Sequence, residues 1–297
     1  MTLLLLQLAC SARYPALDHP SRGERDSGDT AVDPGESARC TLDPPLTPDG
    51  TIATTADGAV WLTEAGRLYR YTLDQTDRCH LVGEWVYGDG TSVSVTEITA
   101  STEGELWALD YFHRLTRHDA SGAVLTTCDT GLGGHAVAVD GERWWVWGFE
   151  EAIHRGTWSG AGCDVLSDWP VERTIAPPGV HGPEGLAVRV HLGGNGVPGG
   201  MVVDDDGERA AWLLDGTDPY WFDDVDVDAA GYLGLVSDQL FRVTWGGTVG
   251  ARLPADALSP TASVTFASFD RGARGDTWIV GTSDGDPALF LVTGDPL

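Results

Sequence analysis

The chain has 297 residues, with 45 acidic residues against 18 arginines and no lysine, which gives a formal net charge of −27. A surface this acidic repels nucleic-acid phosphates and anionic lipid headgroups, so the charge excludes both as electrostatic partners. Because the sequence contains no lysine, Schiff-base and P-loop lysine chemistry are excluded. The 42% of apolar residues suffice to bury one large core.

Residues 1–10 contain a short apolar run, Leu3 to Leu6, that leads to Cys10 and is followed by polar sequence. The run resembles the end of a bacterial lipoprotein signal peptide, in which the cysteine is acylated. It departs from that pattern at Gln7, three positions before the cysteine, and in having no basic residues before the run. The resemblance implies lipidation at Cys10 and a place in the bacterial cell envelope, periplasmic or on the cell surface. An ordinary cleaved signal and a chance apolar start are the alternatives.

Residues 11–37 are rich in proline and acidic residues and poor in aliphatic residues. Such a segment cannot bury enough apolar surface to fold, so we predict a disordered tether. The lipid anchor at its start is the only membrane contact that we expect.

Four further cysteines are Cys40, Cys79, Cys128 and Cys163. An even number in an exported chain predicts two disulfide bonds, with three pairings open. A metal-thiolate site is the competing interpretation. It is disfavoured because no two of these cysteines lie within four residues of each other.

A unit of four short strands recurs after the tether, and each strand is a run of apolar and polar residues bounded by turn residues. The first strands align on Ile52, Ile98, Val137, Leu186, Val225 and Phe266. The spacings of 46, 39, 49, 39 and 41 residues are typical of four-stranded propeller blades. The sequence therefore predicts an all-β fold, a six-bladed β-propeller formed as one domain by residues 38–297.

The sixth unit has three strands before Leu297, and we predict that Ala38 to Leu42 supplies its missing outer strand and closes the ring. All four cysteines then lie on outer strands, where disulfides would staple the rim. The tryptophans at repeat positions are assigned to the core; they are Trp61, Trp107, Trp145, Trp212 and Trp278.

Two stretches carry a family resemblance: Ala56–Asp74 (ADGAVWLTEAGRLYRYTLD) and Glu103–Asp119 (EGELWALDYFHRLTRHD). They resemble blades of NHL-type, streptogramin-lyase-like and sensor-kinase propellers, with a glycine turn, an apolar strand containing tryptophan and a Leu-x-Arg strand. The resemblance implies the fold alone, because propellers with such blades serve as lyases, lactonases, binding modules and scaffolds.

Propellers generally hold ligands and metals at one mouth of the central channel, where the innermost strands begin. In the alignment the residues at this mouth are Thr51, Glu97, His135, Glu184, Asp223, Asp224 and Thr265. Converging carboxylates bind a hard cation such as Ca²⁺ or share protons in acid–base chemistry. The alternative is that they are solvated strand ends in an acidic protein.

Asp226 differs from its counterparts in the same alignment. The residue after the aligned apolar position is alanine or threonine in five units and Asp226 in the other. A carboxylate packed between blades needs a cation, an arginine or a hydrogen-bond donor. Asp226 is therefore predicted to be a metal ligand or the partner of an arginine in a neighbouring blade, and strand alternation places it on one face with Asp224.

A G-x-S-x-G sequence at Gly281, Ser283 and Gly285 is interpreted as a chance match, because it falls in a hairpin between two strands. A nucleophile elbow requires a strand-to-helix turn.

These patterns favour a monomeric, envelope-anchored propeller that acts as a binding or scaffold protein for a protein, peptide or glycan. The alternative is a metal-assisted hydrolase or lyase at the channel mouth, with Ca²⁺ as its cofactor. Its ligands or acid–base groups would be Glu97, His135, Glu184, Asp224 and Asp226.

Overall fold

A computed structural model describes the backbone of this protein in the following ranges: 37–45, 51–73, 79–87, 95–101, 104–131, 134–148, 152–159, 162–170, 174–182, 185–192, 197–204, 207–213, 224–228, 231–236, 238–244, 248–259, 261–272, 275–294 and 297. Between residues 174 and 213 the description is limited to backbone pairing. Cys10 and the predicted tether before Ser37 lie outside the described residues.

The described chain is built from strands, with one four-residue helix among them. In chain order the strands are β1 (Ser37–Asp43), β2 (Ile52–Thr54), β3 (Val60–Glu64), β4 (Arg67–Leu73), β5 (His80–Tyr87), β6 (Val95–Ala100), β7 (Leu106–Asp110), β8 (Arg114–His118), β9 (Val124–Asp129), β10 (Gly134–Asp140), β11 (Arg143–Gly148), β12 (Ala152–Ser159), β13 (Gly162–Pro170), β14 (Thr174–Gly182), β15 (Gly185–Leu192), β16 (Val197–Asp204), β17 (Gly207–Leu213), β18 (Asp224–Asp228), β19 (Gly231–Val236), β20 (Gln239–Thr244), β21 (Val249–Pro254), β22 (Val264–Arg271), β23 (Thr277–Ser283) and β24 (Asp286–Val292). The helix α1 (Ala255–Leu258) follows β21.

These strands form five sheets. Four of them are antiparallel and contain four consecutive strands each: sheet II (β6 to β9), sheet III (β10 to β13), sheet IV (β14 to β17) and sheet V (β18 to β21). The fifth, which we call the closing sheet, has eight strands in the order β2-β3-β4-β5-β1-β24-β23-β22. It therefore joins the beginning of the described chain to its end.

The first strand of each repeat lies nearest the centre. β2, β6, β10, β14, β18 and β22 each lie against the next in this order, and β22 lies against β2. These inner strands therefore form a closed circuit, with the sheets directed outwards from it.

The core lies between the faces of neighbouring sheets. Trp61 and Leu68 of the closing sheet pack with Ile98 and Leu106 of sheet II, and the other face of sheet II packs against sheet III through Trp107 and Trp144. Because a sheet in this position is covered on both faces, its second strand is buried along its length. All five residues of β7 (LWALD) are buried for this reason.

The tryptophan assignment is confirmed where side chains are described. Trp61, Trp107, Trp145 and Trp278 are all buried. The side chain of Trp212 lies outside the described part of the chain. Trp158, which falls outside the repeat register, is also buried and packs edge-to-face on Trp107.

The predicted closing strand is confirmed, and it does more than the sequence indicated. Ser37 to Cys40 of β1 pair antiparallel with β24. The following residues, Thr41 to Asp43, pair parallel with His80 to Val82 of β5. One strand thus completes the last group of strands and attaches it to the first.

Both predicted disulfide bonds are present, and the pairing is now defined. Cys40 on β1 is bonded to Cys79, which precedes β5, so a covalent bond lies at the point where β1 changes partner. Cys128 on β9 is bonded to Cys163 on β13 and joins the outer strands of sheets II and III. Both bonds lie at the rim, as predicted.

One sequence alignment is wrong in sheet IV. Its inner strand is β14, so the predicted first-strand residue Leu186 belongs to the second strand, β15. The sequence of β14, TIAPPGVHG, contains proline and glycine residues that are typical of turns. The strand accommodates them in a bulge, because pairing shifts between Ala176 and Gly179 around the two prolines.

The G-x-S-x-G sequence lies in the hairpin between β23 and β24, as predicted. Gly281 is a close-packing position: a Cβ atom there would collide with the carbonyl oxygen of Thr265 on the paired strand. A packing role therefore explains this glycine.

No helix within the described ranges has the length and apolar character needed to cross a membrane.

We expect replacement of Cys40 and Cys79 by alanine to lower the free energy of unfolding by about 4 kcal/mol, because the bond closes a loop with a sequence separation of 39 residues. Urea denaturation of the two proteins measures the difference. The matched control, Cys128→Ala with Cys163→Ala, opens a loop with a separation of 35 residues and should cost a similar amount. Equal denaturation midpoints for all three proteins would contradict the prediction.

Candidate functional site

The acidic and histidine residues predicted at the channel mouth lie on three inner strands, where the structure describes their backbone. Glu97 lies on β6. Asp224 and Asp226 lie on β18, separated by one residue and therefore on the same face of the strand. His135 lies on β10, where its side chain is outside the described part of the structure. Glu184 and Asp223 also lie outside the described residues, and Glu184 follows β14 rather than preceding an inner strand.

Asp224 links two neighbouring inner strands. Its Oδ2 atom accepts a hydrogen bond from the Ser268 hydroxyl (2.5 Å) and another from the Phe269 N–H (2.8 Å), both on β22. These bonds tie β18 of sheet V to β22 of the closing sheet. Because the Phe269 N–H donates to Asp224, it needs no hydrogen bond to water. The two strands can therefore lie close together.

Asp270 makes the equivalent link on the next side of the ring, and the sequence analysis missed it. Its Oδ2 atom accepts hydrogen bonds from the Thr54 N–H and from the Thr54 hydroxyl, the latter at 2.7 Å. Thr54 is the last residue of β2, so this carboxylate ties β22 to β2. Asp224 and Asp270 together connect three consecutive inner strands.

Asp226 lies beside Asp270 and affects its ionisation. Burial of the Asp270 carboxyl, followed by repulsion from the Asp226 charge, raises the pKa of Asp270 to about 8. Hydrogen bonds from Thr54 oppose this shift without cancelling it. The Asp270 carboxyl therefore holds a proton at neutral pH.

Glu97 lies on an inner strand on the other side of the ring from Asp224 and Asp226. Strand β6 lies between β2 and β10, whereas β18 lies between β14 and β22. Burial raises the pKa of Glu97 well above its usual value, and repulsion from Asp224 adds to this rise. The Ile98 N–H donates to Glu97 Oε1 at 3.2 Å and lowers that pKa, but does not offset burial.

We call these four side chains, Glu97, Asp224, Asp226 and Asp270, the axial carboxylates. Electrostatic repulsion acts between Glu97 and Asp224 and between Asp226 and Asp270, and the predicted ligand-binding role of the channel-mouth residues stays a prediction. Within the ranges that the structure describes, no three His, Cys, Asp or Glu side chains form a group that could hold a metal ion. Two of these side chains, Asp224 and Asp270, form hydrogen bonds between inner strands, and burial raises the pKa of Glu97 and of Asp270.

A second feature lies at the end of sheet II, in the turn between β7 and β8. We call Asp110 to Arg114 the aromatic turn. Tyr111 and Phe112 are exposed at its tip, with their rings edge-to-face and 5.8 Å apart. The register pairs Asp110 with Val95 at the start of β6, so the turn and Glu97 lie toward the same end of the sheet.

Asp110 fixes the conformation of the aromatic turn. Its Oδ1 atom accepts hydrogen bonds from the Phe112 and Arg114 N–H groups, both at 2.8 Å. Its Oδ2 atom accepts one from Arg114 Nε at 2.7 Å. The carboxylate is almost fully buried while the two aromatic side chains remain exposed.

Other large apolar side chains are exposed on the outer strands of the first three repeats. They are Val82 and Trp85 on β5, Val124 and Leu125 on β9, and Val165 and Leu166 on β13. We call these six the rim residues. Together with Tyr111 and Phe112, they are all the large hydrophobic side chains found exposed among the described residues.

No protein-family model and no curated protein matches this sequence. Solved structures do resemble it. A chain of the mitotic checkpoint complex aligns over 88% of this chain and 94% of its own length, with a TM-score of 0.57 and 9% identity. The Pan2 WD40 domain of Neurospora crassa aligns over 89% and 98%, with a TM-score of 0.56 and 9% identity.

A chain from the crystal structure of BBS1N in complex with ARL6DN aligns over 80% of this chain and 75% of its own length, with a TM-score of 0.52 and 11% identity. WD40 repeats build β-propellers. The likeness therefore shows a β-propeller fold, which confirms the predicted architecture at that level. It shows the fold alone, so the site must be interpreted from its own residues.

The raised pKa of Asp270 makes stability depend on pH. Between about pH 4 and pH 8 the folded state holds a proton that the unfolded chain has lost, so stability falls as pH rises, at about 1 kcal/mol per pH unit for this group. Asp270→Asn imitates the protonated form and removes this dependence. We expect the stability of the variant, relative to the unsubstituted protein, to increase from pH 4 to pH 8 in urea denaturation series.

The matched control is Glu84→Gln, which removes an exposed carboxylate on β5. Its stability should follow that of the unsubstituted protein across the same pH range. If the Asp270→Asn curve also runs parallel to that of the unsubstituted protein, Asp270 is ionised in the folded state and our assignment of its proton is wrong.

Proposed function

We propose that this protein is a six-bladed propeller of the NHL type that binds a partner molecule at the bacterial cell envelope. In this interpretation the closing sheet contributes two blades, one from β2 to β5 and one from β22 to β24 with β1. Sheets II to V contribute the other four. The four-stranded pairing and the circuit of inner strands support this count.

The distribution of exposed apolar side chains carries the binding function. Among the side chains that the structure describes, which do not include those of sheet IV, the rim residues and the aromatic turn lie in the first three repeats. In the part of sheet V that is described, the outer strand β21 buries Leu253, and α1 packs beside it through Ala255. An exposed concentration of large apolar side chains is typical of an interaction surface.

The axial carboxylates support binding in preference to catalysis. Asp224 and Asp270 act as hydrogen-bond acceptors that hold neighbouring inner strands together. A carboxylate engaged in this way has a structural reason to be present. Two of the similar propellers were solved in protein assemblies, BBS1N with ARL6DN and the mitotic checkpoint complex, and we propose a protein partner here as well.

The disulfide bonds support export. Two structural disulfides are typical of proteins that fold in an oxidising compartment, such as the bacterial periplasm. We propose that acylated Cys10 anchors the chain, that the tether predicted for residues 11–37 ends at β1, which includes Ser37, and that the remaining residues form one monomeric domain. The anchor would hold the propeller near the membrane without a spanning helix.

Binding at the rim can be tested by photo-cross-linking in cells that express the protein. A benzophenone amino acid placed at Leu125 or Leu166 should give one discrete cross-linked product on illumination. The same probe at Thr248, which is exposed in the hairpin between β20 and β21, is the matched control and should give none. Cross-linking of equal intensity at all three positions, or at none, would contradict a binding surface on the first three repeats.

Anchoring requires a separate measurement, because a soluble binding protein would pass the first one. We expect Cys10→Ser to move the protein from the membrane fraction to the soluble fraction and to abolish incorporation of labelled palmitate. Retention of the variant in the membrane fraction would exclude Cys10 as the anchor. The cross-linking result would then still stand.

A further inference from the structure

We propose that the aromatic turn is the docking site for a positively charged, Lys- or Arg-bearing segment of a partner protein. This inference rests on the proposed binding function and names the chemistry of the partner. It rests on the exposed rings of Tyr111 and Phe112 and on the net negative charge of the protein.

The two rings are displayed to solvent. Tyr111 is 54% exposed and Phe112 is 53% exposed, although both belong to the residue types with the largest apolar area to bury. The rings meet edge-to-face, with centroids 5.8 Å apart. The face of an aromatic ring is electron-rich and attracts cations that approach within about 6 Å of its centroid.

The turn is held ready for a ligand by its own hydrogen bonds. Besides the bonds to Asp110, the carbonyl oxygen of His113 accepts hydrogen bonds from the N–H (2.8 Å) and the hydroxyl (3.0 Å) of Thr130. His113 has a φ of 72°, in the left-handed region that non-glycine residues rarely adopt. A turn fixed in advance loses little conformational entropy when it binds.

Equivalent turns in this protein show that the fold does not require these side chains. The turn between β3 and β4 consists of Ala65 and Gly66, and the turn between β23 and β24 consists of Asp284 and Gly285. Each of these turns, like the aromatic turn, joins the second and third strands of its repeat, and each contains only two residues, which are small or polar. Sheet II uses three residues, and two of them are large and aromatic.

The negative charge of the protein favours a positively charged partner at the aromatic turn. The protein has a net charge of −27, so a basic segment is attracted to it from a distance. Near the turn, Arg114 is paired with Asp110, and the exposed Asp129 lies opposite Arg114 in the strand register. A cationic side chain that contacts an aromatic ring here is therefore also attracted by the negative charge of the protein. A neutral glycan or an apolar segment would gain nothing from this charge.

The probe is a fluorescein-labelled peptide of alternating arginine and glycine, measured by fluorescence anisotropy at pH 7.5 in 150 mM salt, which weakens non-specific attraction. The test variant is Tyr111→Leu with Phe112→Leu, which keeps apolar area and net charge but removes both rings. We expect its affinity for the peptide to fall about tenfold, as the loss of two cation–π contacts requires.

The matched control is Thr248→Leu, which places an exposed leucine in the hairpin between β20 and β21, outside the rim residues and the aromatic turn. It should bind the peptide as the unsubstituted protein does. Thermal unfolding of each variant shows whether it is folded. If the double leucine variant does not fold, Tyr111→Ser alone, which changes one side chain at the exposed tip, replaces it, with a proportionately smaller loss expected.

Three results would overturn the proposal. Equal binding by the unsubstituted protein and the double leucine variant would show that the net charge alone attracts the peptide, or that apolar area alone is recognised. Binding of a glutamate–glycine peptide or of neutral oligosaccharides, in place of the arginine peptide, would assign the turn to another class of ligand. No binding at all would reject a basic partner while leaving the rim cross-links, and hence the proposed binding function, untouched.

Discussion

Closure of the ring depends on the seven residues of β1, which pair with two groups of strands at once. Four of them extend β24, and the next three pair with β5. Without this strand the last group of strands would have three members and would expose the edge of β24. The sheet hydrogen bonds of β1 and the Cys40–Cys79 bond therefore make one closed body from a linear series of repeats.

On the same side of the molecule, polar contacts also hold the inner strands. Asp224 reaches from sheet V to β22, and Asp270 reaches from β22 to β2. Asp270 lies where the chain's last and first groups of strands meet, and Asp224 lies at the neighbouring junction, between sheet V and the last group. Their burial has an electrostatic cost, which Asp270 avoids in part by retaining a proton. Ring closure and ionisation of the axial carboxylates are thus coupled.

The repeat was predictable because its apolar periodicity recurs at strand length and because each unit supplies its own turn residues. The outer closing strand was predictable from the same count, since one unit lacked a strand. β14 was not predictable, because its two prolines and two glycines are typical of turns. The two prolines lie in a bulge of this strand. Its misplacement moved Leu186 and Glu184 to the wrong part of the fourth unit.

The candidate site was predictable in part. Glu97, Asp224 and Asp226 were found because they stand near the starts of apolar strands, where propeller channels open. Asp270 was missed because it stands near the end of β22, beyond a bulge between Phe266 and Ser268 that displaces the alignment. Its partner, Thr54, is 216 residues away in the sequence, and no local pattern indicates such a contact. The signal that remained was a carboxylate within the apolar run VTFASFD.

The position of Cys40 also determines how the ring would respond to tension. A pull on the chain before Ser37 acts along β1 and shears its first four pairs with β24. The load then reaches Cys40, where the disulfide transfers it to the residue preceding β5. The pairs between Thr41 and Asp43 and β5 lie behind that bond and are shielded from the pull. A covalent bond therefore lies between the first four residues of β1 and the last three, so that a pull which separates β1 from β24 leaves its attachment to β5 intact.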